Sequence, residues 1–240
     1  MTKQCAICGV PINGFQGKKL ADGNYICRKT CKKRGLNIFK YSESCLEDVI
    51  AHFEQVEKGK TLWERFFVPR LKTEDHEKKL KQFKSVYVAE DIGLMAFKEK
   101  RYKFLFWGKT EHFCVYRIAD LRMYDVQSGT MTNNGKSKTT GYLYYHFGDV
   151  KGLNTFRVQY ASRKECWQKA EYFDSLFGLE TKQLSLYEEM KELAYIVQNT
   201  DVDPFSIKTE KEIVEVMKKM GKYKEGDRTQ WIEKAEITLK

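Results

Sequence analysis

The stretch CAICGVPINGFQGKKLADGNYICRKTC (Cys5–Cys31) holds four of the chain's seven cysteines in two close pairs, Cys5-x₂-Cys8 and Cys27-x₃-Cys31, 18 residues apart. Tetrahedral Zn²⁺ takes four soft donors at about 2.3 Å, and a short turn lets two thiolates reach one ion without strain. Gly9 follows the first pair, where a positive φ would turn amide groups toward the sulfurs. Asn13-Gly14, Gly17 and Asp22-Gly23 mark turns between the pairs, as two short hairpins require. The layout is that of a zinc ribbon, with Cys5, Cys8, Cys27 and Cys31 as ligands.

Two other uses of cysteine pairs fit less well. A thioredoxin-like pair wants a βαβ context around one CxxC, and none is visible. A catalytic zinc keeps an open position beside a general base, whereas four cysteines close the shell. The expected ion is therefore structural, and it supplies folding energy to a segment too short to bury a core.

The rest of the composition bounds the class. At 240 residues, 42% hydrophobic, 14% aromatic and with three prolines, the chain is globular rather than disordered or fibrous. No run approaches ~18 apolar residues, and Met1–Gln4 lacks an apolar leader core, so a cytoplasmic protein is expected. Paired cysteines in a reducing compartment favour metal over disulfide. Cys45, Cys114 and Cys166 are scattered in apolar segments and read as buried thiols.

Of the net charge of +10, most lies at one end: residues 1–40 carry nine basic groups against one acid, Asp22. Arg28, Lys29, Lys32, Lys33 and Arg34 cluster around the second cysteine pair, a candidate patch for phosphates with salt-dependent affinity. The aromatics near it are Phe15, Tyr25 and Phe39. A second basic run, Lys98-Glu-Lys-Arg-Tyr-Lys103, is a weaker anion candidate because Glu99 interrupts it.

The CAICG knuckle, the KKLADGNYIC segment and the helix after them resemble an uncharacterised family of four-cysteine zinc-ribbon domains from Gram-positive bacteria and their phages. The likeness covers about the first seventy residues and implies no activity. In that family the second pair is usually CxxC. Here it has one extra residue, which leaves Cys45 as a reserve fourth ligand.

Four segments are expected: 1–42 the ribbon, 43–84 a helical connector, 85–178 a β domain and 179–240 a helical tail. Ser44-x-x-Glu47 reads as a capping box ahead of Leu46, Val49, Ile50, Phe53 and Val56, with Gly59 as the stop. A second short helix, Leu62–Phe67, should end before Pro69, and residues 70–84 read as a charged helical or mobile connector. From Ser85, seven runs rich in β-branched and aromatic residues recur about every ten residues, predicting an antiparallel sandwich or roll. The polar stretch Ser128–Gly141 reads as a long loop between two of them.

Ser162-x-x-Glu165 then opens a helix whose stripe is Cys166, Trp167, Ala170, Phe173, Leu176 and Phe177, with Gly178 at its end. Seven strands closed by such a helix resemble a pleckstrin-homology-like fold, in which Trp167 matches the helix tryptophan and YRIADLRMYDV a recurrent strand–turn–strand. The expected class is α+β. Tail helices are predicted over 185–198, 209–220 and 227–239.

No GxSxG, P-loop, HExxH or GxGxxG occurs, and His52, His76, His112 and His146 have no partners at ligand spacing. The expectation is a non-catalytic, zinc-stabilised adaptor that binds a protein partner; the family likeness implies a phage or prophage accessory protein acting on a host factor. The alternatives are a nucleic-acid-binding regulator working through the ribbon and recruitment to a membrane surface through the β domain.

Overall fold

The computed structural model describes residues 3–76, 78, 80–102, 109–133, 136–148, 150–185, 187, 188, 190, 191, 194, 210–219 and 221–240. It combines helices with antiparallel sheets and divides into two compact units. One comprises Met1–Asp120, Asp149–Asn154 and Gln230–Lys240; the other comprises Leu121–Gly148 and Thr155–Thr229.

The first unit begins with two small hairpins. Strand β1 (Lys3–Gln4) pairs with β2 (Pro11–Ile12), and β3 (Gly17–Lys19) pairs with β4 (Tyr25–Cys27). Helix α1 (Leu46–Leu62) follows, and its cap lies one residue later than the sequence pattern suggests. The Ser44 hydroxyl donates to the Lys40 carbonyl, so Cys45 becomes the N-cap, and the Asp48 carboxylate accepts its amide at 3.1 Å. Asp22 takes the next amide, Leu46 N–H, at 2.7 Å.

Gly59 does not stop α1. The helix runs through it because the missing side chain lets the backbone press on a strand: a Cβ there would lie 2.1 Å from the Phe113 carbonyl oxygen. The chain then widens into a π turn, Trp63–Phe67, and continues as α2 (Val68–Leu71). Pro69 therefore sits inside a helical segment instead of ending it. In the π turn the Val68 amide bonds to Trp63 O, a shift in the ladder next to a residue with no amide to offer.

Four strands form one antiparallel sheet in the order β5 (Lys81–Phe83), β6 (Val86–Ala89), β7 (Leu94–Tyr102) and β8 (Lys109–Arg117). Strand β5 lies in the segment expected to be a charged connector. Its lysine and glutamine suit a sheet edge, and Lys84 takes a left-handed φ of 57° to turn the chain back into β6. Of the seven expected strands, the run YKFLFWG (Tyr102–Gly108) contributes Tyr102 to the end of β7, and 103–108 lie outside the described residues. Against this sheet Trp63 stacks on Phe113 (4.5 Å between centroids) and Phe67 (5.2 Å) and meets Tyr87 edge-on at 4.8 Å. Ala89, Leu94 and Ala96 complete that core.

In the second unit β9 (Leu121–Asn133), β10 (Lys136–Phe147) and β11 (Thr155–Tyr160) form a sheet in the order β11-β10-β9. The stretch Ser128–Gly141 is thus not a loop: its two halves pair from Gly141↔Ser128 out to Lys136↔Asn133. The threonines there favour extended backbone. Strand β11 reaches only to Gly141, so the rest is a two-stranded arm.

Helix α3 (Arg163–Leu176) covers this sheet. Ser162 Oγ accepts the Glu165 amide at 3.2 Å, and Gly178 ends the helix at φ +65°. Trp167 is half-buried under Arg163 rather than central to the stripe. Asp174, 1% exposed, accepts from Tyr124 Oη at 2.6 Å and from Lys224 Nζ at 3.2 Å.

Ser185 and Glu188 form a reciprocal capping pair, but most of the helix expected over 185–198 lies outside the described residues. Helix α4 (Glu210–Lys219) belongs to this unit, and α5 (Thr229–Leu239) falls almost wholly in the first, burying Trp231 and Ala235. Gly93, at φ +66°, passes under α5, where a Cβ would meet Trp231 O at 2.8 Å. Among the described residues no helix is long and apolar enough to cross a membrane.

Candidate metal centre

The two hairpins bring Cys5, Cys8, Cys27 and Cys31 together, with all four sulfurs within 4.8 Å of one another. The Cys5–Cys31 and Cys8–Cys27 sulfur separations are 3.7 and 3.8 Å. A tetrahedron of sulfurs 2.3 Å from its centre has edges of about 3.8 Å, so these two separations match that edge and the remaining ones lie within 4.8 Å. Cys5 and Cys8 lie on the tight turn after β1, closed by the Gly9 amide on Cys5 O at 2.8 Å with Gly9 at φ +70°. Cys27 ends β4, a turn over Arg28–Thr30 takes up the extra residue of the second pair, and Cys31 then opens a 3₁₀ turn, Cys31–Lys33.

Backbone amides serve the sulfurs as ligand-supporting donors. Cys27 N–H points at Cys5 Sγ and Cys31 N–H at Cys27 Sγ, both at 3.3 Å. Burial pushes the Cys5 thiol up, but the amides of Cys8, Cys27 and Ile7 and the Cys8 side chain more than offset it and bring it down to about 6. Cys27 is lowered too: burial opposes ionisation, and the Cys31 and Thr30 amides outweigh it. Cys31 is raised, first by burial and then by Cys8, Cys27 and Cys5. Sulfurs this close cannot all ionise unless a cation compensates them, and a divalent ion meets that need. The four residues could hold one metal ion.

Cys45, the reserve ligand, lies elsewhere. Its thiol meets Asp48 Oδ2 at 3.2 Å at the start of α1. Cys114 and Cys166 are buried thiols, and burial pushes Cys114 up to about 12.

The loop leaving the ribbon is locked by groups that the sequence did not single out for this task. His52 on α1 is fully buried and accepts the Leu36 amide through Nε2 at 3.0 Å. That bond leaves the proton on Nδ1, which donates to Gln55 Oε1 at 3.2 Å. The ring stacks on Phe39 at 4.2 Å, and burial pushes its pKa down to about 4. Gly35 is forced by this packing: a Cβ there would sit 2.3 Å from Tyr41 Oη and 2.7 Å from His52 Cδ2.

From β7, Glu99 accepts the Asn37 amide at 2.8 Å and Arg101 Nε at 3.1 Å, while Arg101 reaches the carbonyls of Lys33 and Gly35. Lys98 pairs with Glu111 at 2.9 Å beside Trp63. Of the second basic run, Glu99 and Arg101 therefore hold the ribbon's exit in place, Lys98 is spent on Glu111, and Lys103 lies outside the described residues. The only advance signal was the alternation that puts Glu99 and Arg101 on one strand face.

The first basic cluster divides. Arg34 turns to α1, pairing with Glu57 at 2.6 Å and lying over Phe53. Lys32 is half-buried. Arg28, Lys29 and Lys33 stay exposed, with Arg28 Nε anchored on Gly17 O at 2.9 Å. Of the nearby aromatics, Phe39 is buried and Tyr25 is half-buried beneath Lys3, but Phe15 is 93% exposed.

Compared with family models, curated proteins and solved structures, the chain matches none of them.

Proposed function

We propose that the chain is a non-catalytic adaptor, built as a structural zinc ribbon joined to a β body of pleckstrin-homology-like type, that binds a protein partner by strand addition. Zinc is the ion of choice because an all-thiolate tetrahedron is its usual structural shell, and four protein donors leave no position for substrate. Four strands, then three, then helix α3 agree with the pleckstrin-homology-like reading. The likeness of the first seventy residues to the four-cysteine phage and bacterial family stays part of this proposal, carried by the cysteine knuckle.

The observation that carries the binding mode is the arm of β9 and β10. From Ser128 to Asn133 and from Lys136 to Thr140 these strands pair with each other, and β11 stops at Gly141. Beyond that point no third strand flanks them among the described residues. A strand edge of this kind is a template for another chain's backbone.

The test is affinity capture from a bacterial lysate with the full chain and with a variant whose residues 130–139 are replaced by Asn-Gly. A partner retained by the full chain and lost by the shortened one, at equal zinc content, supports the reading. Equal capture by both refutes strand addition at the arm.

A further inference from the structure

We propose that the ribbon carries a binding site for single-stranded nucleic acid, with Phe15 as the stacking platform and Arg28, Lys29 and Lys33 as phosphate-binding cations. This rests on the reading of the four thiols as a metal-held ribbon and goes beyond the adaptor function.

Phe15 is the starting point. At 93% exposure it contributes almost nothing to the core, although a phenylalanine ring is ordinarily buried. Its backbone is nevertheless held firmly. It sits in a 3₁₀ turn, Gly14–Gln16, closed by the Gln16 amide on Asn13 O at 3.0 Å, with Gly14 at φ +47°. The same turn is tied to the basic segment: Gln16 O accepts the Arg28 amide at 2.8 Å, and Gly17 O accepts Arg28 Nε. An exposed ring and an exposed guanidinium are thus fixed on neighbouring, hydrogen-bonded segments.

Next to them lies a concavity of about 480 Å³, bordered by Val10, Pro11 and Ile12 on its apolar side and by Arg28, Lys29 and Thr30 on the other. The charge around it is compensated only in part: four thiolates on one Zn²⁺ would carry a net −2, and Cys27 also lines the concavity, against nine basic groups in residues 1–40. Asp22, the one acid among residues 1–40, is committed to the Leu46 amide and to Asn24. Lys18, Lys19, Arg28, Lys29 and Lys33 form no ion pair among the described residues.

An exposed ring on a turn whose next residue, Gln16, lines the same concavity as Arg28 and Lys29 matches a polymer that alternates π-faces with phosphates. The strand must be single, because a base has to leave its neighbours to stack on the ring. An acidic peptide would satisfy the cations but leave Phe15 without an equivalent partner.

The test is fluorescence anisotropy of a labelled 12-nucleotide oligo-dT and oligo-rU with the zinc-loaded full chain, at 50 and 200 mM salt. Phe15→Ala should weaken binding about 5- to 150-fold, the loss expected for one stacked base. Arg28→Gln with Lys29→Gln should flatten the dependence of log affinity on log salt by about 0.7 for each phosphate that is no longer neutralised. Each sample is also assayed for zinc and for the amide dispersion of the ribbon by NMR. One zinc per chain with no oligonucleotide binding at 50 mM salt, or with binding that Phe15→Ala leaves unchanged, overturns the nucleic-acid site and leaves the ribbon standing. Absence of zinc in the wild-type chain overturns the ribbon itself. Loss of a captured protein on Phe15→Ala, with no oligonucleotide bound, assigns the surface to a protein and also overturns the proposal.

Discussion

Adding one methyl group at Gly59 sets two effects of opposite sign against each other. In an isolated helix, Gly59→Ala would stabilise by about 1 kcal/mol, because glycine is the more costly residue in a helix interior. Here the new Cβ would lie 2.1 Å from Phe113 O, 2.8 Å from its carbonyl carbon and 3.3 Å from Cys114 Cα. Real Cβ atoms essentially never approach closer than 3.0 Å, so α1 and β8 must part by about 1 Å. The obstacle is backbone, which cannot rotate aside. Overpacking of this kind costs about 1–3 kcal/mol, and a rigid neighbour puts it at the upper end. Subtracting the helix gain leaves a net loss of about 2 kcal/mol, or a Tm lower by about 4–8 °C for a chain of this size. Thermal unfolding of the zinc-saturated protein, followed by circular dichroism, measures it, with Lys58→Ala as an exposed control on the same helix that should shift little. A Gly59→Ala protein as stable as the wild type, or more so, would refute the close approach of α1 to β8.

Other outcomes follow from the same packing. The His52 imidazole takes a proton near pH 6.5 when unfolded but only near 4 when folded, so its stabilisation is complete above pH 6.5 and is lost as pH falls toward 4. That amounts to roughly 3 kcal/mol, and an NMR titration that finds His52 protonating near 6.5 would contradict it. Cys45→Ser should retain one zinc per chain and gain up to ~1 kcal/mol from a better N-cap, whereas Cys27→Ser should lose the metal; mass spectrometry under native conditions separates the two. Chelation should melt the ribbon, read as collapse of the Ile12 and Ile26 methyl shifts, because those buried side chains lose the cross-link that holds the hairpins. Asp174→Ala should cost about 3 kcal/mol in denaturant unfolding, since Tyr124 and Lys224 lose a shared buried acceptor.

Sequence alone determined what short-range chemistry dictates. Two cysteine pairs with glycine turns between them imply two hairpins converging on one point, and the Ser162–Glu165 pair with Gly178 bounds α3, because caps and knuckles are set by residues a few positions apart. Position by position the reading failed where distant segments decided. Gly59 looks like a helix stop until β8 is seen against it, and Lys81–Phe83 looks like connector until β6 supplies its ladder. Ser128–Gly141 is polar enough for a loop, yet a strand's hydrogen bonds need only a partner backbone, not apolar side chains. The locking of the ribbon's exit by His52, Glu99 and Arg101 joins residues tens of positions apart, and the 93% exposure of Phe15 is a property of surface that no local pattern encodes. Burial, close approach and pairing depend on which segments fold back on one another, and tertiary structure alone decided them.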